Sequence, residues 1–188
     1  MTSSKSLKIL LTSGPIAVGK SSVVNALLSR FDFKCISSGN YLKELAESKG
    51  MAPVRENLIK LGDGLDIKTD YSWVVNQVTY NILKLDNSHS KWVFDSVRKK
   101  KQILYFRKKY ENCITHIHFT APEEILKNRY LERIVKGSAK DVSTYELAIN
   151  NPNENEARSL GDFADYQIDT SSSSAEYLAE KINRILRD

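Results

Sequence analysis

The feature that most constrains this chain is a short glycine-containing pattern near its start. Residues 14–21 read G-P-I-A-V-G-K-S, which matches G-x-x-x-x-G-K-[ST] at every fixed position. The apolar residues 8–13 before it predict a β-strand, and residues 19–30 after it carry apolar side chains at helical spacing. A strand, a glycine turn and a helix in this order wrap a phosphate group, because loop amides and the positive end of the helix dipole face the anion.

The side chains of this loop predict a nucleoside triphosphate as the ligand. Lys20 is placed to reach the β- and γ-phosphates, and Ser21 offers a hydroxyl oxygen to Mg²⁺. We therefore expect ATP and Mg²⁺ as cofactors. The residues of this loop expected to bind ATP are Gly14, Ala17, Val18, Gly19, Lys20, Ser21 and Ser22.

Short apolar segments alternate with helical patterns along the rest of the chain. Further strands are predicted at residues 33–37, 91–95, 114–120 and 166–169, and helices at 41–49, 72–85, 101–110, from 122 and after 173. This alternation predicts an α/β fold, a three-layer α/β/α sandwich with a mainly parallel five-stranded sheet and the P-loop NTPase topology. Ligands of such sheets bind beyond the carboxyl ends of the strands, so the residues after each strand are candidates for the site.

Local signals add detail to this outline. Residues 120–123 and 173–176 each have the spacing of a capping box, with Thr120 and Ser173 as the expected helix caps. The polar tract 150–156 is typical of a loop, and the acidic stretch 63–70 is interpreted as a solvated loop.

Composition limits the class of ligand. Lys plus Arg number 28 against 23 Asp plus Glu, which gives a net charge of +5. This excess suits anionic small molecules and is too small by itself to indicate nucleic acid, which is not an expected partner. The hydrophobic share of 41% and charged share of 27% exclude a wholly disordered chain.

Cysteine and histidine usage favours structural roles. Cys35 and Cys113 lie in apolar runs without a C-x-x-C pair, so we expect buried, reduced thiols and no zinc or redox motif. His116 and His118 alternate along a predicted strand, show no metal-ligand spacing, and are interpreted as structural.

No segment of the sequence has the pattern of a membrane span or a leader. The apolar run 9–11 is too short for a signal peptide, and nowhere do eighteen apolar residues run together. We therefore expect a cytoplasmic protein without a membrane partner, either a monomer or a homodimer.

Two classes of triphosphate-using protein do not fit. The N-K-x-D sequence by which Ras-like GTPases read guanine is absent, and helicases or motors need a longer chain than 188 residues. A small P-loop kinase remains, which would transfer the γ-phosphoryl group to a small molecule.

Further stretches carry a resemblance to a known family. Residues 38–43 read S-G-N-Y-L-K, residues 95–98 read D-S-V-R after the strand K-W-V-F, and two arginines stand four apart at 129 and 133. With the P-loop, these make the chain similar to the nucleoside monophosphate kinases of the adenylate-kinase-like branch, and also to dephospho-CoA kinase-related proteins. The resemblance implies a single P-loop kinase domain over residues 1–188, with a monophosphate-binding region at about 38–85.

On the acceptor side, the resemblance implies binding by the residues that open the first helix of that region. These are Gly39, Asn40 and Lys43, with Arg55 further on. Asn40 stands where the family usually has Asp, and Lys43 where it has Arg. A lysine supplies charge to a phosphate but not the planar bidentate fork of arginine, and Arg55 would compensate.

The resemblance assigns catalytic roles to residues after the later strands. Asp95 would act on the Mg²⁺ shell, and Arg98 would hold the acceptor phosphate. Arg129 and Arg133 share a helix face, one to pack on the ATP base and the other to grip phosphates during transfer. A short lid is expected at about 135–146. With Lys20, these four residues are the predicted catalytic set, Ser21 and Asp95 are the metal ligands, and Arg129 also binds ATP.

The acceptor itself is left between alternatives. A monophosphate is already an anion and needs no base, and the place after the second strand, residues 37–40, carries no acid. This favours a nucleoside or deoxynucleoside monophosphate as the small-molecule substrate. The first alternative is transfer to a hydroxyl group, as in dephospho-CoA, with Asp95 as base. The second is a nucleotide-dependent, RNA-associated ATPase, which the basic run 98–101 suggests.

Overall fold

Five parallel strands form one sheet, as predicted. The structure, a computed structural model, describes residues 6–95, 97–137 and 144–187. The strands are β1 (Lys8–Ser13), β2 (Lys34–Ile36), β3 (Lys91–Phe94), β4 (Ile114–Thr120) and β5 (Tyr166–Asp169), in the order β2-β3-β1-β4-β5. Leu10 pairs with Val93 on one side and Thr115 on the other. Because β1 is central, the loop after it leaves from the middle of the carboxyl edge.

Helices connect the strands and cover both faces of the sheet. They are α1 (Lys20–Arg30), α2 (Ser38–Ser48), α3 (Arg55–Thr69), α4 (Tyr80–Leu85), α5 (Lys100–Tyr110), α6 (Glu123–Val135), α7 (Tyr145–Ile149), α8 (Pro152–Arg158) and α9 (Ala175–Ile185). A π-helical turn, Val74–Thr79, leads into α4, and there the Thr79 hydroxyl donates to the Val74 carbonyl at 2.7 Å. Short 3₁₀ turns precede β4 and β5. Within the described ranges, no helix has the length and apolar character needed to cross a bilayer.

Alternation along β1 divides the core between the two faces. Leu10 packs with Leu27 of α1 and Ile182 of α9, whereas Ile9 and Leu11 face the side covered by α5 and the π-helical turn. All three β1 residues are fully buried. Burying side chains of this size contributes about 1.5–3 kcal/mol each, so both helical layers are held firmly against the sheet. The three-layer α/β/α sandwich is therefore confirmed.

The interpretation of residues 63–70 as a loop is wrong, because Thr69 is the last residue of α3 and only residue 70 follows it. Helix α3 buries none of its residues fully: its apolar stripe, Leu58, Leu61 and Leu65, is half-buried, and Gly62 and Gly64 weaken the helical signal. Its partner is α2: a Cβ on Gly62 would lie 3.5 Å from Leu42, an ordinary van der Waals distance, so the two helices pack side by side here.

The polar tract 150–156 is also not a loop, since α8 occupies most of it. Asn151 caps this helix by accepting from the Asn153 N–H at 2.9 Å, and Pro152 fills the first turn. An Asn-Pro pair at a helix start is a recognisable signal, because proline lacks the N–H that the first turn leaves unpaired.

The two predicted capping boxes are wrong in detail. Helix α6 begins after Pro122 without a side-chain cap, and the Thr120 carbonyl instead accepts from the Thr170 N–H at 2.9 Å. Ser174, one residue later than predicted, caps α9 by accepting from the Tyr177 N–H at 3.2 Å.

The structure also bears on the two cysteines and on the predicted lid. Both cysteines are free, but Cys35 is exposed and Cys113 half-buried, so the prediction of buried thiols is wrong. Cys35 lies on β2 at the sheet edge, where only one neighbouring strand covers it. Of the predicted lid at 135–146, residues 138–143 lie outside the described part of the chain, and α7 begins at Tyr145.

Gly14 offers a test of the packing at the carboxyl edge. Its φ is +137°, and an added Cβ would stand 2.5 Å from the backbone oxygen of Phe119 in β4. Because that carbonyl belongs to the sheet, we expect Gly14→Ala to lower the free energy of unfolding by about 2–4 kcal/mol. Urea unfolding measures the change.

The matched control is Gly64→Ala in α3. No atom lies within 4 Å of the Cβ that this substitution adds. Alanine in a helix interior should raise stability by up to about 1 kcal/mol. Equal stability of the Gly14→Ala variant and the wild type would contradict the close approach described here.

Candidate active site

The turn between β1 and α1 has the backbone of an anion-binding nest. Three of its residues have positive φ: Gly14 at 137°, Ala17 at 64° and Gly19 at 96°. Left-handed residues within a turn direct successive N–H groups inward. Ala17 is not a glycine, and such strained positions cluster at ligand-binding sites. Ser21 and Ser22 follow in the first turn of α1 and are exposed to solvent.

Lys20 folds back over this loop. Its Nζ donates to the carbonyl oxygens of Gly14 at 2.6 Å and Pro15 at 3.2 Å. Both bonds close the loop on itself, and they pair two of the three hydrogens of the ammonium group with carbonyl oxygens. A phosphate would offer the same donors stronger, charged acceptors.

Four other charged side chains act on Lys20. Burial lowers the pKa of Lys20 to about 8, the nearby carboxylates of Glu154 and Asp95 oppose that fall, and the cations Arg98 and Arg133 add to it. The predicted residues Asp95, Arg98 and Arg133 are therefore within electrostatic reach of the predicted lysine. Glu154 is an addition that the sequence did not indicate.

Asp95 and Ser21 provide the oxygen ligands suited to Mg²⁺. Asp95 is half-buried directly after β3, where its N–H donates to the Ile36 carbonyl at 3.2 Å. Among the described residues, no group of three or more His, Cys, Asp or Glu could hold a metal. Mg²⁺ in phosphate sites is bound by one or two protein oxygens plus phosphate and water. The chemistry of the nest, the lysine and these two oxygen donors suits Mg²⁺ and ATP, and the contact of Ser21 and Asp95 with a metal ion stays a prediction.

Arg129 ties the loop to the end of β5. Its guanidinium donates to the Val18 carbonyl at 3.3 Å, to the Thr170 hydroxyl at 3.0 Å and to the Thr170 carbonyl at 2.7 Å. The Thr170 hydroxyl donates to the same Val18 carbonyl at 2.6 Å. These bonds give Arg129 a role in holding the loop, and its contact with the ATP base stays a prediction. Thr170 was missed, although it directly follows a strand.

The predicted acceptor residues lie on the β2 side of the same edge. Gly39 and Asn40 are in the first turn of α2, where the Asn40 N–H donates to the Ser37 hydroxyl oxygen at 3.3 Å. Lys43 is exposed one turn later, and Arg55 is the first residue of α3. Their contact with an acceptor stays a prediction.

Helix α8 reaches the loop from the other side. The Ile16 N–H donates to Glu154 Oε1 at 2.7 Å, and Arg158 Nε donates to the same oxygen at 3.1 Å. Arg158 also binds Glu123 Oε2 at 2.8 Å. The sequence did not reveal this contact, because Glu154 lay in a tract interpreted as a loop.

The basic run 98–101 is largely engaged within the chain. Lys99 pairs with Glu156 at 2.7 Å, Lys100 lies 3.9 Å from the ring centroid of Phe163, and Lys101 pairs with Asp70. Side chains held in this way are less available to a nucleic acid backbone than a free basic patch would be.

A buried hydrogen-bond chain supports the loop from below. Ser13 Oγ lies 2.7 Å from His116 Nε2 and 2.8 Å from His118 Nδ1, and His116 Nδ1 lies 3.2 Å from the Phe163 carbonyl. Because a carbonyl only accepts, we assign the hydrogen of His116 to Nδ1. His116 then accepts from Ser13, which accepts from His118. The structural interpretation of both histidines agrees with these bonds.

This geometry defines a class. A five-stranded parallel sheet in the order β2-β3-β1-β4-β5, with a glycine loop after the central strand, is the P-loop kinase-like fold. A family model described as "AAA domain" matches residues 13–147, and the chain belongs to that family. The family is broader than the nucleoside monophosphate kinases that the motifs suggested. No curated protein matches the chain.

Solved structures share the fold at low identity. A putative kinase from Chloroflexus aurantiacus is 15% identical with a TM-score of 0.57, each chain covering 98% of the other. A shikimate kinase from Acinetobacter baumannii is 16% identical with a TM-score of 0.59, covering 97% of this chain and 94% of its own. A gluconokinase from Sinorhizobium meliloti is 14% identical with a TM-score of 0.55, covering 96% and 95%.

The histidine chain predicts a pH-dependent stability. Burial lowers the pKa of His118 to about 4 and also lowers that of His116. Histidine in an unfolded chain titrates near 6.5, so between these values the unfolded state binds more protons. The free energy of unfolding should therefore fall as the pH drops below about 6.5 towards 5, by at most about 1.4 kcal/mol per pH unit for each of the two histidines.

Urea unfolding of wild type and His118→Asn at pH 7 and 5 measures this effect. Asparagine retains a donor toward Ser13 but does not titrate, so the variant should lose less stability over this range than the wild type. His89→Asn serves as the control, because His89 does not belong to the hydrogen-bonded group of Ser13, His116 and His118. The same loss in His118→Asn and wild type would contradict the assignment.

Proposed function

We propose that this protein is an ATP-dependent small-molecule kinase whose acceptor is a nucleoside or deoxynucleoside monophosphate. The observation that supports this most is the turn after β1, where residues with positive φ form an anion-binding nest and Lys20 folds back over it. The charges of Asp95, Arg98 and Arg133 act on that lysine. A triphosphate donor and a monophosphate acceptor bring many negative charges together. One lysine and two arginines suit that charge, since phosphoryl transfer depends on alignment and electrostatic stabilisation.

On the donor side, the loop amides and Lys20 would hold the phosphates. Mg²⁺ and ATP, when bound, supply the γ-phosphoryl group and a charge that polarises it. Ser21 and Asp95 would hold the metal ion, directly or through water. Arg129 keeps the loop against Thr170, and Arg133 would neutralise charge that develops during transfer. Exclusion of water by closure around both substrates would prevent hydrolysis.

On the acceptor side, Arg98 would bind the acceptor phosphate. Gly39, Asn40, Lys43 and Arg55 would line the remainder of its site, within a monophosphate-binding region at about 38–85 of a single domain. The segment after β2, residues 37–40, carries no carboxylate. A monophosphate oxygen is already anionic and needs no base, so this absence favours a phosphate acceptor over a hydroxyl.

A hydroxyl acceptor, such as dephospho-CoA, is the second candidate. It is favoured by the carboxylate of Asp95, which acts on Lys20, and by the fold shared with a structure named shikimate kinase. Asp95 would then act as base. Asp66 is a further carboxylate of α3, where Trp73 Nε1 donates to it at 2.7 Å and burial raises its pKa. The structure gives the RNA-associated ATPase less support, because Lys99 and Lys101 of the basic run form ion pairs within the chain.

One panel distinguishes the acceptors. Mg²⁺ and ATP are supplied with each nucleoside monophosphate and with dephospho-CoA, and ADP release is measured. We expect turnover with at least one monophosphate. Arg98→Ala should raise the acceptor KM about 10–100-fold, the range for a lost hydrogen bond to a charged group. Arg184→Ala on α9, whose partner is Glu180, is the matched control.

The contrary results are specific. Turnover of dephospho-CoA alone, with Asp95→Asn reducing kcat by several orders of magnitude, would transfer the proposal to the hydroxyl acceptor. No ADP release with any acceptor would contradict both candidates.

A further inference from the structure

A carboxylate of the protein already occupies part of the phosphate-binding loop. Ile16 lies within the loop, and its N–H donates to Glu154 Oε1 at 2.7 Å. The Glu154 side chain is only 14% exposed, so this is an enclosed contact and not a surface encounter. Carboxylate and phosphate oxygens are equivalent acceptors for a backbone N–H, and the amide can serve only one of them at a time.

The charged donor of the loop, the Lys20 ammonium group, is also hydrogen-bonded within the loop. Lys20 donates to the carbonyls of Gly14 and Pro15, and Glu154 is the charged group that acts on it most. The loop is thus closed on itself, with one amide satisfied by a carboxylate and the ammonium group by carbonyls. Nucleotide phosphates must exchange with these partners in order to bind.

We propose that Glu154 is a resident anion of the phosphate-binding loop, which the phosphates of an incoming nucleotide displace. This inference rests on the proposed function, because it presumes that the loop binds a triphosphate. Two negative groups at one amide repel each other, so the bound state requires the carboxylate to leave. The intrinsic affinity of the loop is then reduced by the fraction of molecules in which Glu154 is in place.

After displacement from Ile16, the Glu154 carboxylate can stay paired with Arg158. Arg158 Nε donates to Glu154 Oε1 at 3.1 Å, from one turn further along α8. Arg158 is itself held by Glu123 Oε2 at 2.8 Å, on α6. Glu154 can therefore rotate away from Ile16 while its charge stays paired with the guanidinium. This arrangement makes the exchange reversible without exposing an unpaired charge.

Glu154→Asp is the decisive variant, because it retains the charge while shortening the side chain by one methylene. Calorimetric titration with Mg²⁺ and ATP should show binding about 5–20-fold tighter than in the wild type, for a contact that is in place most of the time. Glu154→Ala should show at least the same gain. Glu156→Asp makes the same shortening on the same helix, at the Lys99 pair, and should change Kd by less than about twofold.

Each outcome bears on the proposal. Tighter binding by Glu154→Ala with no gain in Glu154→Asp would mean that net charge alone matters, and it would overturn the displacement. A wild type that binds while Glu154→Asp binds equally or more weakly would overturn this inference and leave the proposed function standing. Absence of Mg²⁺-dependent ATP binding in every variant would overturn both.

A measurement on the unaltered chain guards against misfolded variants. A crystal structure of the wild type with Mg²⁺ and a non-hydrolysable ATP analogue should show the Ile16 N–H on a phosphate oxygen and Glu154 on Arg158 alone. Retention of the bond between Ile16 and Glu154 beside bound phosphates would overturn the proposal.

Discussion

The close approach between the start of the phosphate-binding loop and β4 determines the geometry of the whole site. Gly14 turns away from β1 with a φ of +137°, where a side chain would collide with the Phe119 carbonyl. Because β1 is the central strand, this turn places the loop between the ends of β3 and β4. Asp95 directly follows β3, and Arg129 lies on the helix after β4, so both come from the strands that flank the loop.

Around this turn, the protein satisfies its own polar groups. The Val18 carbonyl accepts from Thr170 and Arg129, the Ile16 amide donates to Glu154, and Lys20 covers two carbonyls. Beneath them, Ser13 joins two neutral histidines. The bonds from Thr170 and Arg129 give the loop around Val18 a defined shape before any ligand arrives, whereas the bonds of Ile16 and Lys20 would exchange when phosphates bind. Preorganisation of that kind is what electrostatic stabilisation of phosphoryl transfer requires.

The sequence was sufficient for the sheet and the loop but not for every helix. β1 and its neighbours are apolar segments with clear boundaries, and the G-x-x-x-x-G-K-S pattern is expected between a strand and a helix. Helix α3 was missed because its stripe of Leu58, Leu61 and Leu65 is only half-buried and is interrupted by glycines. Helix α8 was missed because it is held by polar contacts.

The candidate site was predictable for residues that directly follow a strand, because ligands bind beyond the carboxyl ends of parallel strands. Asp95, Arg98 and the P-loop residues follow β3 and β1, and the structure brings them to one edge. Thr170 follows β5 in the same way and could have been found by that rule. Glu154 could not, since its contact with Ile16 joins residues far apart in the chain through a helix that was not expected. The family match covers residues 13–147 and does not identify an acceptor.

Binding of the ATP phosphates by residues 14–21 is measured by calorimetric titration of Mg²⁺ and ATP into the wild type and the Lys20→Ala variant. We expect saturable one-to-one binding by the wild type and an affinity at least about 10-fold weaker in the variant, as for loss of a charged phosphate contact. No binding by the folded wild type, or equal affinity in Lys20→Ala, would contradict it.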